Sequence, residues 1–177
     1  MQNGQIACPE NAWINTLEAN QTEAIALAKE IISEQIYCTL STCSVDGMPW
    51  GSPLLFVYDE AFNFYWSSAI AAQHSQNIYQ NQGKSVLTIY DAAKIKAVYL
   101  SGIATELTEQ NQLEKVLQLF DLRAKRPTPR MVIDYLNESP RRMYQFVIKA
   151  SWITGDRLMF QNQLMDTKIA IHLDLNW

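Results

Sequence analysis

The chain has 177 residues, 48% of them hydrophobic, and its 18 acidic against 14 basic side chains give a net charge of −4. A chain of this length buries about 70% of its unfolded surface and forms a core unaided, while the acidic balance argues against the diffuse basic field that nucleic-acid binding needs. Cys8, Cys38 and Cys43 are an odd number without a Cys-x-x-Cys pair, so free thiols are expected rather than a disulfide framework or a zinc site.

Residues 1 to about 19 show weak periodicity and read as a loose arm or a short helix around Trp13. They carry neither the basic segment nor the apolar run of a secretion signal, and no stretch of the chain approaches the ~18 apolar residues of a membrane span, so a cytoplasmic protein is expected. From Asn20 the signal sharpens. Asn20 and Glu23 have the spacing of a capping-box variant, and Ala24, Ile25, Ala28, Ile31 and Ile32 fall on one face at helical period, predicting a surface helix that ends near Ser33.

In "IYCTLSTCS", Ile36, Cys38, Leu40 and Thr42 alternate with more polar neighbours, as a half-buried strand requires, and Asp46-Gly47 supplies a tight hairpin turn. The return strand "PWGSPLLFVYD" contains Pro53, which cannot donate to a ladder and marks an edge or a bulge. Asp59-Glu60 turn the chain into a third strand, with Phe62, Phe64 and Trp66 alternating inward up to Ser67 and Ser68. A short helix from about Ala69 to Asn81 comes next. The plain reading of the two serines is that they cap this helix; the sharper one is that hydroxyls, helix N–H groups and the helix dipole together hold a phosphate.

"KSVLTIYD" and "AVYLSGIATEL" read as two more strands, with Gly102 a bulge or a point of close approach. Thr108 opens an amphipathic helix with Leu113, Val116, Leu117 and Phe120 on one side, and a second short helix is expected from near Pro129 to before Pro140. Arg123, Lys125, Arg126, Arg130, Arg141 and Arg142 crowd this region, which reads as solvated loop charge with anion binding as the alternative. "RMYQFVIKASWIT" is the closing strand, and residues 156–177, without clear period, read as a tail or a partner-reaching arm.

Six short strands, with one helix after the third and two after the fifth, predict a mainly β fold in one domain: a small antiparallel barrel with flanking helices. A parallel doubly wound sheet is disfavoured because the first three strands are joined by turns too short for a crossover. The dinucleotide fingerprint, the P-loop, the Gly-x-Ser-x-Gly elbow and the zinc-protease helix are all missing from the sequence, and His74 and His172 have no metal-ligand spacing around them.

The stretch Tyr37 to Ile78 resembles the pyridoxamine 5′-phosphate oxidase-like flavoproteins of the FMN-binding split barrel fold, whose barrel is a six-stranded antiparallel one of Greek-key type. The likeness rests on a first strand ending in Leu-Ser-Thr, the Asp-Gly hairpin, Ser-Pro on the second strand, an aromatic strand ending in a hydroxyl and His-x-x-Asn-Ile on the helix; "LSGIATEL" continues it, over residues 25 to 155 in all. The resemblance implies FMN as cofactor, a homodimer with the cofactor between subunits, and two-electron chemistry on an unidentified small molecule.

It also places Ser52, Pro53, Leu54 and Leu55 along the flavin and Trp66, Ser67 and Ser68 by the ribityl chain and phosphate. Gln73 and His74 fall where the family usually carries a basic pair, His74 restoring part of the charge if a phosphate neighbour protonates it, and Trp152 stands for a tryptophan that approaches the ring. No catalytic acid or base is indicated. The rival reading is a split-barrel dimer without enzymatic activity that binds flavin or haem for storage or sensing.

Overall fold

The computed structural model describes residues 4–17, 21–124 and 130–173. A short 3-10 turn at Pro9–Asn11 leads into β1 (Ile14–Asn15), α1 (Gln21–Glu34), β2 (Tyr37–Cys43), β3 (Pro49–Leu55), β4 (Val57–Tyr58) and β5 (Phe64–Ala69). Then come α2 (Gln73–Gln80), β6 (Lys84–Asp91), β7 (Lys96–Leu107), α3 (Gln110–Ala124), a 3-10 turn at Val132–Tyr135, β8 (Arg141–Thr154), β9 (Leu158–Phe160), β10 (Gln163–Met165) and β11 (Lys168–Ile171). The fold is mainly β with flanking helices, as expected. The larger sheet runs in the order β1-β11-β8-β7-β6-β2-β3, with β5 on β8 and β4 on β5. It is mixed rather than purely antiparallel, because β1 pairs with β11 in parallel.

By contact the chain divides into two compact units, one of Met1–Gln35, Thr88–Leu100 and Ala150–Trp177 and the other of Ile36–Leu87 and Ser101–Lys149. In the first, α1 packs against β11 and buries Ala24, Ala28, Ile31 and Ile32, four of the five apolar positions expected on that face. The predicted capping residue Asn20 lies outside the described residues.

The stretch expected to be a tail is structured instead. β11 pairs antiparallel with the end of β8, from Lys168 opposite Thr154 to Ile171 opposite Ser151, and Ser151 Oγ donates to Ile171 O at 2.7 Å. β9 and β10 form a separate hairpin. The amino-terminal arm is tied in the same way: Lys168 N donates to Trp13 O at 3.0 Å, and the Trp13 ring meets Phe160 edge to face at 5.3 Å. Backbone pairing and one aromatic contact order these segments, and neither leaves a periodic hydrophobic pattern in the sequence.

In the second unit β2 and β3 form the expected hairpin, with Leu40 opposite Ser52 and Thr39 opposite Pro53. Gly47 turns the chain at φ +86°, which a side chain would strain. β3 is the terminal strand of the order, so Pro53 sits where its missing N–H leaves no ladder partner wanting. Val57, Tyr65, Leu107, Tyr135 and Met143 form a core with Leu113, Val116, Leu117 and Phe120 of α3, the four positions expected to face inward. Each large side chain removed from water there contributes about 1.5–3 kcal/mol. The second short helix is only the four-residue turn at Val132–Tyr135; its expected start at Pro129 lies outside the described residues.

Candidate functional site

Strand β5 does not hand over to a helix at its serines. Ser67 pairs with Met143, Ser68 with Arg142 and Ala69 with Arg141 on β8, and Ile70 N donates to Pro140 O at 2.9 Å. The ladder therefore holds the chain extended through Ala69, and α2 begins only at Gln73, with Ala72 at its N-cap and no side-chain cap bond. Ser67 and Ser68 are strand residues, and the expectation that they cap a helix starting at Ala69 is corrected.

The helix and the strand end meet nonetheless, through His74. Its Nδ1 lies 3.0 Å from Ser52 Oγ on β3 and its Nε2 lies 2.7 Å from Ser68 Oγ on β5, all three side chains being buried. Trp50 Nε1 donates to Ser52 Oγ at 3.0 Å. With that N–H on the Ser52 oxygen, the Ser52 hydroxyl is free to donate to Nδ1. A neutral ring then carries its proton on Nε2 and donates to Ser68, so that every partner is satisfied. Asn77, one turn further along α2, donates to Thr42 Oγ1 on β2 at 2.9 Å and so fastens the helix to the hairpin.

Burial holds the His74 pKa below the ordinary histidine value of 6.5. Both ring nitrogens are spent on serines and the surroundings favour the neutral form. The sign for stability follows. Above about pH 6.5 the ring is neutral folded and unfolded and costs nothing; as pH falls from there to the lowered folded value, the unfolded chain takes up more protons and stability is lost. Urea midpoints measured between about pH 5 and pH 7.5 should fall on the acid side, and His74→Gln should flatten that slope. An unchanged slope would mean that His74 is not the group responsible.

The remaining predicted residues divide. Leu54 and Leu55 are half-buried and Pro53 is exposed, all on the strand that carries Ser52. Trp66 is wholly buried and stacks on Tyr144, with ring centroids 5.7 Å apart and planes at 15°. Its side chain lies in the core, and its Nε1 is buried without a hydrogen-bond partner among the described residues. Gln73 is exposed and donates to Asn77 Oδ1 at 2.9 Å on its own helix. Trp152 lies in the other compact unit, half-buried, with Lys168 Nζ 5.9 Å from its ring centroid. Cys38, on β2, has its thiol pushed up to about 12 by burial and is an inert core group.

One residue here was missed as a site residue. Arg141 Nη2 lies 3.2 Å from Ser67 Oγ and 3.4 Å from Ser67 O, whereas its Nε is buried without a hydrogen-bond partner among the described residues. The sequence signal was the basic cluster. Its members part ways in the fold: Arg123 packs over the Phe56 and Tyr58 rings, while Arg142 is fully engaged, with Nε 2.9 Å from Glu106 Oε1 and its other nitrogens on the carbonyls of Asn137, Ser139 and Arg141. Among the described residues no cluster of histidine, cysteine and carboxylate side chains could hold a metal ion, and no helix is long and apolar enough to cross a membrane.

The sequence profile of the family described as Pyridoxamine 5′-phosphate oxidase matches residues 25–162. No curated protein matches the chain. Solved structures do. A protein of unknown function, Atu2129 from Agrobacterium tumefaciens, superimposes with a TM-score of 0.62 at 16% identity, over 85% of this chain and 64% of that one. Campylobacter jejuni ChuZ gives 0.64 at 13%, over 82% and 62%. HutZ, the haem storage protein from Vibrio cholerae, gives 0.57 at 17%, over 70% and 89%. This chain thus spans under two thirds of the length of the first two proteins.

Proposed function

Because the chain belongs to the pyridoxamine 5′-phosphate oxidase family and has its mainly β split-barrel fold class, we propose that it is a cytoplasmic flavoprotein that binds FMN. One observation carries the reading: the Ser52–Leu55 strand and the Ser67–Ser68 strand end, the two segments that the family resemblance assigns to flavin, are joined in one site through the two bonds of His74. The residues present also fit the phosphate end. Ser67 is half-buried with its hydroxyl beside a guanidinium, and a buried nitrogen of that group lacks a partner.

Bound there, FMN would supply two-electron transfer to a small molecule. The chain's own part is to bind and to orient. Leu54 and Leu55 offer half-buried apolar surface beside the backbone of β3, the terminal strand of the sheet among the described residues. His74 is a positioning residue: neutral and doubly bonded, it fixes the spacing of Ser52 and Ser68 and is not available as an acid or base. The exposed Trp50 on the terminal strand β3, with Met48 just before it, favours a second copy of the chain as partner, with the cofactor between subunits.

The test is an absorption spectrum of the purified protein after loading with FMN or with haemin and removal of free ligand. Retained flavin bands and no retained haem are the expected result. A Soret band with no retained flavin would overturn the reading in favour of haem binding of the kind that HutZ is named for.

A further inference from the structure

We infer that Arg141, rather than a residue of α2, supplies the fixed positive charge of the phosphate end of this site; the inference rests on the FMN reading above and adds to it the residue that selects a phosphorylated flavin. Three observations lead there. The α2 positions expected to be basic cannot serve, since Gln73 is an exposed amide turned along its own helix and His74 is neutral with both nitrogens engaged. Arg141 stands instead at the strand end itself, opposite Ala69 in the ladder, with one guanidinium nitrogen 3.2 Å from the Ser67 hydroxyl.

The third observation is that Arg141 has donors to spare. None of the ion pairs among the described residues involves it, and its buried Nε has no partner, whereas its neighbour Arg142 pairs with Glu106 and three carbonyls. A buried guanidinium N–H without an acceptor is costly, and a dianionic phosphate presents the fork of acceptors that guanidinium geometry matches. Ser67 Oγ, already within reach of that guanidinium, adds a hydroxyl donor to the same oxygen cluster.

The experiment measures binding of FMN and of riboflavin, which lacks the phosphate, to the full-length wild type, Arg141→Met, Arg141→Lys and the surface control Arg130→Ala, with inorganic phosphate as a competitor. Wild type should prefer FMN. Arg141→Met should weaken FMN by about 10- to 100-fold, the loss of hydrogen bonds to a charged group, and leave riboflavin within about twofold. Arg141→Lys should recover part of the loss, Arg130→Ala should show none, and phosphate should compete with FMN in wild type and Arg130→Ala but not in Arg141→Met.

Riboflavin affinity doubles as the control for folding. Equal losses for both flavins in Arg141→Met, or an unchanged preference for FMN, would overturn the role of Arg141 while leaving the FMN reading in place. A wild type that binds neither flavin would overturn the FMN reading, and this assignment with it.

Discussion

Replacing Trp66 with alanine should cost about 3–5 kcal/mol, a large share of the roughly 5–15 kcal/mol that keeps a typical domain folded. Its ring is 0% exposed and lies flat against Tyr144, so truncation removes the transfer energy of a large aromatic, leaves a cavity in a close-packed interior and breaks a stacked pair. Trp66→Phe should lose much less, since most of the volume and the stacking survive. Denaturant midpoints would show both effects, and the affinity of the remaining folded protein for FMN should be little changed. A Trp66→Ala protein that is as stable as wild type but binds FMN poorly would put the indole against the cofactor after all.

The second large effect is expected at Gly102, on β7. A methyl group there would lie well inside contact distance of the Val147 carbonyl oxygen and 2.6 Å from Phe146 Cζ, where Phe146 is itself fully buried. The carbonyl belongs to the strand and cannot rotate away, so relief requires shifting β7 or β8. Overpacking of this kind typically costs 1–3 kcal/mol, and about 3 kcal/mol or more is expected where backbone must move. Gly102→Ala should therefore lower the thermal midpoint by about 6–12 °C or more, on a scale of roughly 2–4 °C per kcal/mol at this chain length. Gly51→Ala is the control, because the only neighbour of a methyl at Gly51 is a methyl of Thr39 at 3.8 Å. Equal tolerance of the two substitutions would contradict the close approach at Gly102.

What the sequence revealed followed from how local each signal is. The face of α1, the inward side of α3, the Asp46-Gly47 hairpin and the span of β6 were legible because periodicity and turn chemistry are properties of neighbouring residues. The start of α2 was misread because ladder pairing of Ser67 and Ser68 with β8, more than 70 residues away, outweighs the local preference of serine for a cap. The strands after Thr154 went unseen for the same reason: three or four residues of pairing carry no period.

At the site, Ser52, Ser68 and His74 were each named from the resemblance, yet their direct bonding, and the burial that favours a neutral His74, were not foreseen. Burial sets a histidine's charge, and burial is a property of the fold. Arg141 was hidden among five other basic residues of the same stretch; only the strand register distinguishes the guanidinium beside Ser67 from the one spent on Glu106.

The central claim, that FMN seats between the Ser52–Leu55 strand and the Ser67–Ser68 strand end, is tested most directly by mapping amide and indole chemical shifts of the nitrogen-labelled protein during titration with FMN. The account predicts saturable shifts centred on Ser52, Leu54, Leu55, Ser67 and Ser68, together with the Trp50 indole N–H that bonds Ser52. Saturable shifts centred elsewhere in the chain, or none at all, would contradict it.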